Sequence, residues 1–268
     1  MRSFVLGATL LGIIVAGAVG SLFLPLSDPL SMDITERLSP PSWRHPFGTD
    51  QYGRDLFSRV LRGGIVALGA SLISVGIASL IGTPVGFLAG LAGGVLDEIV
   101  MRIMDAMQAF PSILLAIAIV AIIGPGPLNA MVAIGLVNVP VFARLARSVV
   151  LSLKERDFVL AAEALGSSRF RILWRHILPN GLGPLLVQAS VGASTAVLAE
   201  ASLSYLGLGT QPPHPSWGRM LEEARLFMER APWIAIFPGL ALFLTVLGFN
   251  FLGDGLRDLM DPWRRTRS

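Results

Sequence analysis

The stretch spanning residues 154–180 holds the side chains of this sequence best suited to a function, and that function is binding to another surface. Its spacing predicts two short amphipathic helices that meet at Gly166, a residue able to take the left-handed conformation that ends a helix. Ser167 or Ser168 can cap the second helix, and Pro179 predicts its end. The apolar faces at helical spacing hold Phe158, Ala161, Ala162 and Leu165 in the first helix and Phe170, Leu173, Trp174 and Ile177 in the second.

The same stretch is basic. From Arg144 to Arg175 the chain has seven basic residues against three acidic ones, and three of the arginines occupy the non-apolar faces of the second helix. A basic helical hairpin with two apolar faces must place those faces against something. A surface helix on lipid headgroups is one interpretation, and a docking element for a soluble partner is the other.

Composition excludes most enzyme classes. Of 268 residues, 53% are hydrophobic and 15% are charged, against ~25% charged in a soluble domain, which predicts a single membrane domain. The absence of cysteine excludes disulfides, thiolate metal sites and a cysteine nucleophile. Three widely separated histidines in loop-like settings predict no metal cluster. The sequence also lacks a G-x-x-x-x-G-K-[ST] phosphate loop, so we expect no enzyme activity and no cofactor in this chain.

Long uncharged runs predict an all-α integral membrane protein with six transmembrane helices. The first run could instead be a signal peptide, but we interpret it as a span. The second is a long glycine-rich helix with a kink near Pro84 and a turn at Gly93-Gly94. The spans cover Phe4–Leu24, Gly63–Leu96, two spans within Ala106–Ala143 divided at Gly124–Pro127, Gly181–Leu208, and Trp233–Gly253.

Charged residues indicate the orientation. The segments Pro25–Arg62 and Gly209–Pro232 have balanced charges, whereas the hairpin and the tail from Asp254 carry an excess of basic residues. Basic loops stay on the cytoplasmic side, so we expect both termini and the hairpin to be cytoplasmic. At one membrane boundary the spacing predicts two ion pairs along a helix, Glu98–Arg102 and Arg102–Asp105. In the other soluble segments, Asp55 can cap the following helix, and Trp217 to Arg230 can form an amphipathic one.

Glu200 interrupts the fifth predicted span. A carboxylate at membrane depth costs on the order of 2.5–3.5 kcal/mol, so it should face protein or water. It either forms a structural hydrogen bond with Ser202, Ser204 or a neighbouring helix, or lines a translocation path.

The motifs resemble those of a known family. Residues AAEALG followed by ILPN resemble the EAA loop of binding-protein-dependent ABC importers, although Leu160 replaces the usual Glu and His176 the usual Ile. Three further blocks, at His45–Gly64, Ala201–Leu221 and Gly253–Pro262, resemble the C-type permease subunit of dipeptide, oligopeptide and nickel importers.

The resemblance implies the type I ABC importer permease fold and a multi-pass protein of the bacterial inner membrane. It implies a first helix and extracytoplasmic loop at 1–62 and a core at 63–268 that contains the coupling hairpin. Force could pass through the hairpin if the fourth span continued as a helix through Leu165. The implied ATPase-coupling residues are Ala161, Ala162, Gly166, Ser167, Ser168, Phe170, Arg171, Leu178 and Pro179.

The implied partners are a B-type permease, two cytoplasmic ATPases that bind ATP and Mg, and an extracytoplasmic solute-binding protein. The implied solutes are short peptides, with nickel complexes, glutathione or opines as alternatives. Two other classes stay open from the residues alone. One is a stand-alone secondary transporter or channel. The other is an intramembrane serine protease, although no histidine lies in a predicted span near Ser190, Ser194 or Ser202.

Overall fold

The protein is a helical bundle, seen in a computed structural model that describes residues 2–24 and 27–260. Within those ranges every regular element is a helix, and the end of the predicted tail motif, with Pro262, lies outside them. The α-helices are α1 (Arg2–Gly20), α2 (Leu56–Ala92), α3 (Gly94–Gln108), α4 (Ser112–Ile123), α5 (Pro127–Leu153), α6 (Asp157–Ala164), α7 (Arg169–Ile172), α8 (Leu178–Tyr205), α9 (Trp217–Ala224) and α10 (Trp233–Met260).

Five helices of the described chain are long and apolar enough to cross a membrane: α1, α2, α5, the continuous helix Arg169–Tyr205, and α10. A sixth span exists only if α3 and α4 count as one, and these two meet at an angle of 89°. The continuous third span expected from Ala106 is therefore wrong. Pro111, which lacks a backbone N–H, is the N-cap of α4, and the 12 residues of that helix cover only ~18 Å.

Helix α2 has the capped ends that the sequence predicts. The Asp55 carboxylate accepts a hydrogen bond from the Ser58 backbone N–H at 2.8 Å, so the helix starts at Leu56 rather than at Gly63. At the other end Gly93 and Gly94 both have positive φ, which confirms the predicted turn.

Glycines allow α2 to lie directly against α5. A Cβ placed on Gly82 would stand 2.5 Å from the Val139 carbonyl oxygen, and one on Gly86 would overlap the Ala143 carbonyl. Backbones this close are typical of helix pairs in membranes. The hydrophobic effect does not drive helices together there, and small residues allow close van der Waals packing instead. The contact fixes α2 and α5 as the centre of the bundle.

Ion pairs join α3 to α5. Arg147 donates from Nε and Nη2 to the two carboxylate oxygens of Asp97, both at 2.6 Å. The predicted Glu98–Arg102 pair is present at 3.4 Å, whereas Asp105 pairs with Arg144 instead of Arg102. Spacing along one helix could not reveal that second arginine, because it lies on α5.

Buried charges hold the end of the bundle opposite the hairpin. Arg54 donates from Nε to Asp50 at 2.6 Å and from Nη2 to Glu223 of α9 at 2.9 Å. Arg59 at the start of α2 pairs with the same two carboxylates at 3.4 Å. Loop 27–55 and α9 are thereby fixed to α2. The amphipathic helix predicted to reach Arg230 is shorter than expected, since α9 ends at Ala224.

His45 links two acidic residues of loop 27–55. Its Nδ1 lies 2.8 Å from Asp55 and its Nε2 lies 2.7 Å from Glu36, which also pairs with Arg44. Ionised carboxylates only accept hydrogen bonds, so both contacts are satisfied together by the doubly protonated ring. Burial lowers the pKa of His45, but the hydrogen bonds and charges of Asp55 and Glu36 outweigh it and raise the pKa above its ordinary 6.5.

Gly86→Ala should destabilise the bundle, because the new methyl group would force α2 away from α5, at a cost of about 1–3 kcal/mol. Gly76→Ala is the matched control on the same helix, since a Cβ there meets no atom within 4 Å. Thermal unfolding of the purified protein in detergent measures the difference. Equal unfolding temperatures for the two variants would contradict the close contact.

The His45 contacts should add stability at acidic pH. A group whose pKa is raised on folding contributes fully below its unfolded pKa, and the contribution is lost as pH rises through the folded pKa. His45→Gln should therefore lower the unfolding temperature below neutrality more than above it. His214→Gln, which alters an exposed histidine, should not change the pH profile. A parallel shift for His45→Gln at both pH values would rule out the protonated form.

Candidate functional site

The first half of the hairpin ends as the sequence predicts. Helix α6 stops at Ala164, and Gly166 has φ +79°. The Gly166 N–H donates to the Glu163 carbonyl at 2.9 Å, and the Ser167 N–H donates to the Ala162 carbonyl at 3.0 Å. This pair of bonds is the Schellman motif, which satisfies the last carbonyls of a helix.

The second half does not end at Pro179, contrary to expectation. Ser168 caps α7 by accepting from the Arg171 backbone N–H, and the helix then widens into a π-turn at Leu173–Ile177. The Leu178 N–H donates to the Leu173 carbonyl, five residues earlier. This wider turn accommodates Pro179 in the first turn of α8, where a proline costs little. The hairpin therefore continues directly into a membrane span.

The first half is joined less rigidly than expected. Helix α5 ends at Leu153, and residues 154–156 form a turn before α6. The predicted helix continuity from the fourth span through Leu165 is therefore wrong. Mechanical connection to the bundle comes through packing and through the second half.

A buried face anchors the hairpin to α2 and α5. Ile177 is completely buried, and Val159 and Ile172 are nearly so. These side chains, with Ala162 and Leu173, belong to one apolar cluster with residues of α2 and α5. The α2 and α5 members that they share it with include Phe87, Phe142, Ala146, Val149 and Val150.

Other apolar side chains of the hairpin are exposed, and Phe170 and Trp174 among them line a groove with residues of α2 and α8. Leu165 is 88% exposed, Phe170 is 71% exposed, and the Trp174 ring lies 6.0 Å from the Phe170 ring. Beside them Arg169, Arg171 and Arg175 are exposed, and none forms an ion pair with a residue in the described ranges. We call this surface, from Leu165 to Arg175, the outer face of the hairpin. It combines apolar area with unpaired positive charge, the composition of a docking surface.

The nine sequence-predicted coupling residues separate into two groups. Ala162 lies in the anchoring cluster, and Ser167 and Leu178 are half-buried. The other six are exposed: Ala161, Gly166, Ser168, Phe170, Arg171 and Pro179. Sequence reasoning missed Val159 and Ile172, which carry much of the anchor. Their signal was present, since Val159 and Ala162 lie three residues apart on one helical face.

Glu200 faces into the bundle. Its side chain is 2% exposed, and its Oε1 accepts a hydrogen bond from Ser204 at 2.6 Å with Thr210 at 3.5 Å. Ser202, one of the partners considered from sequence, donates instead to the Leu198 carbonyl. In the described chain the carboxylate thus has the structural hydrogen bonds that a buried acid requires.

Nothing in the described ranges resembles a metal site, and no group of three histidine or acidic side chains converges there. His176 lies within the π-turn rather than in a loop, contrary to expectation.

The chain is similar to known proteins in sequence and in fold. Residues 82–266 match the family described as "Binding-protein-dependent transport system inner membrane component". The chain is 50% identical over 245 residues to the dipeptide transport system permease protein DppC of Alkalihalophilus pseudofirmus, covering 90% of this chain and 81% of that one. It is 45% identical over 258 residues to the probable D,D-dipeptide transport system permease protein DdpC of Escherichia coli K12, covering 96% and 87%.

A third relative and a solved structure complete the comparison. The glutathione transport system permease protein GsiD of Pectobacterium atrosepticum is 50% identical over 222 residues, covering 83% of this chain and 74% of that one. Among solved structures, an inward-facing form of the MetNI methionine ABC transporter matches with a TM-score of 0.64 at 21% identity. That match covers 76% of this chain and 96% of the other, and shows the fold.

Ile177→Ala should loosen the hairpin, because a cavity would open between it and the bundle at a cost of about 2–5 kcal/mol. Trp174→Ala, three residues earlier at a side chain that is 56% exposed, should lower stability less. Denaturant unfolding of the purified chain compares the two. If both variants lose the same stability, the division between an anchoring and an outer face is wrong.

Proposed function

The chain belongs to the binding-protein-dependent inner membrane components, the permease subunits of ABC importers, and we propose that it carries short peptides and couples to ATPase subunits through its hairpin. The family membership confirms the resemblance first seen in the motifs, together with a multi-pass place in the inner membrane. The residues that perform the coupling, the individual partners and the solute belong to the proposal.

The observation that carries the coupling proposal is the two-sided hairpin. One side is buried against α2 and α5, so the hairpin cannot move without them. The outer face presents Leu165, Phe170 and unpaired arginines, which fit a partner with an apolar groove and acidic rim. Small residues at Ala161 and Gly166 let that partner approach the backbone. The alternative is that lipid headgroups, rather than a partner protein, cover this surface.

The proposed division of labour follows. Two cytoplasmic ATPases bind ATP and Mg, and their closure moves the docked hairpins. A B-type permease completes the path across the membrane, and an extracytoplasmic binding protein delivers the solute. The chain itself holds no phosphate loop, so we assign ATP hydrolysis to its partners.

Peptides are favoured as the solute because two of the similar permeases are named for dipeptide and D,D-dipeptide transport. Glutathione is the second candidate, since GsiD is equally similar over a shorter stretch. Both are small molecules with amide bonds and charged ends, so one path could serve either. Equilibrium binding to the purified extracytoplasmic binding protein distinguishes them.

Leu165→Glu should separate the permease from its ATPases, because it places a charge in the apolar part of the outer face. We expect the ATPase subunits to co-purify with the parent complex and to be lost from the variant. ATP-driven dipeptide uptake in proteoliposomes should fall with them.

Leu226→Glu is the matched control, since Leu226 is 79% exposed and lies in the segment between α9 and α10, away from the hairpin. It should retain the ATPases. Normal ATPase retention and uptake in Leu165→Glu would remove the hairpin from the docking site.

A further inference from the structure

Because Glu200 points into the bundle, the opposite side of α8 faces away from the bundle interior. Within the described chain that side is half-buried at Gln188 and exposed from Val191 to Tyr205, and its residues repeat at intervals of three and four, one straight helical face. We call it the α8 stripe; its members are Gln188, Val191, Thr195, Leu198, Ser202 and Tyr205.

Polar and apolar residues alternate along the α8 stripe. Gln188, Thr195 and Ser202 recur every seven residues, with Val191 and Leu198 between them. From Gln188 to Tyr205 the stripe extends ~26 Å, most of a ~30 Å hydrocarbon core. Hydroxyl and amide side chains at that depth can hydrogen-bond to a neighbouring protein surface or to a solute in water.

Helix α10 provides the contrast. Its exposed residues in the half that begins at Trp233 are Ile236, Leu240 and Phe243, all apolar. Lipid can cover such a face without leaving a polar group unsatisfied. The α8 stripe therefore differs in polarity from the exposed face of this half of α10, which Asn250 follows farther along the helix.

The hydrogen-bonding state of the stripe is suited to transient contacts. Thr195 and Ser202 donate to carbonyls of their own helix, at 2.9 and 2.8 Å, and keep free acceptor lone pairs. Gln188 forms no hydrogen bond with any residue of the described chain, so its amide can both donate and accept. Each contact would be weak and uncharged, which lets a solute leave as easily as it arrives.

The hairpin end of the stripe opens into a cavity of about 1130 Å³. Gln188 lines it together with Asn180 and Pro184 of α8 and Arg257 of α10. The cavity therefore joins the amide of the stripe to a cationic side chain able to attract a carboxylate.

We propose that the α8 stripe lines the solute path, with Gln188, Thr195 and Ser202 offering hydrogen bonds to the amide groups of a peptide-like solute. The inference rests on the proposed transport function and assigns its contact residues. Arg257 then stands at the hairpin-side mouth, where a terminal carboxylate would pass. Glu200 takes no part in the path.

Cysteine accessibility tests this directly, because the chain has no cysteine of its own. The complete reconstituted transporter would carry Thr195→Cys or Ser202→Cys and be treated with a charged, membrane-impermeant thiol reagent during ATP-driven uptake of dialanine. A water-filled path predicts modification and loss of uptake. Saturating dialanine should slow the modification.

Phe243→Cys is the control. Phe243 is 58% exposed and lies ten residues from the start of α10, as Thr195 lies ten residues from the end of α8. We expect Thr195→Cys to react about tenfold faster or more, because a charged reagent is excluded from lipid. Equal reactivity, or no reaction at Thr195 and Ser202, would overturn the assignment while uptake by the parent transporter, with this chain unsubstituted, still supported the transport function. Absence of dialanine uptake by that parent would instead count against peptide transport.

Gln188→Leu and Gln188→Asn separate a solute contact from a structural role. The first removes the amide and should raise the KM for dialanine several-fold with unchanged assembly, and the second should largely restore it. If both variants lower only the amount of assembled complex, Gln188 is structural and the assignment fails.

Discussion

The backbone contact between α2 and α5 is the constraint on which the rest of the structure depends. Gly86 on α2 leaves room for the Ala143 carbonyl of α5, and no side chain at that position would fit. The two helices therefore touch without intervening side chains and pack as one unit. The buried face of the hairpin packs on residues of both helices, Phe87 and Val150 among them. A partner that displaces the hairpin therefore acts on the central pair.

The two ends of the bundle are held by different forces. At the hairpin end the contacts of the hairpin itself are apolar, with Ile177 at their centre, and the Asp97–Arg147 ion pair joins α3 to α5 near it. At the other end a buried set of charges around Arg54 and Glu223 joins loop 27–55 to α9. Buried ion pairs gain little net stability over apolar packing, but they fix a single geometry when every partner is present. Under the proposed coupling, one end would transmit movement and the other would keep a fixed shape.

Local chemistry could be predicted from the sequence, and tertiary relations could not. The left-handed Gly166, the caps at Asp55 and Ser168 and the turn at Gly93 follow from residue type alone. The membrane class, the family and the helical fold followed from composition and motifs, and the comparisons confirm them. The passage of a helix through Pro179 was missed because a π-turn has no clear sequence signal. Ser204, which holds the Glu200 carboxylate, was among the partners named from the sequence, whereas Thr210, beyond the end of α8, was not. The outer face could be anticipated from its arginines, whereas its division from the anchor required the packing of α2 and α5.

The unbroken helix from Arg169 to Tyr205 has a mechanical consequence. Its 37 residues form one shaft of about 55 Å, with the outer face of the hairpin near one end and the α8 stripe along the rest. A rigid helix transmits torsion as well as axial force, so a twist applied at the arginines would also turn the stripe. Any compliance would be concentrated at the widened π-turn and at Pro184, where backbone hydrogen bonding departs from the α-helical pattern. Rotation about a single axis could then present the polar line to the path or withdraw it, without a change in the length of the span.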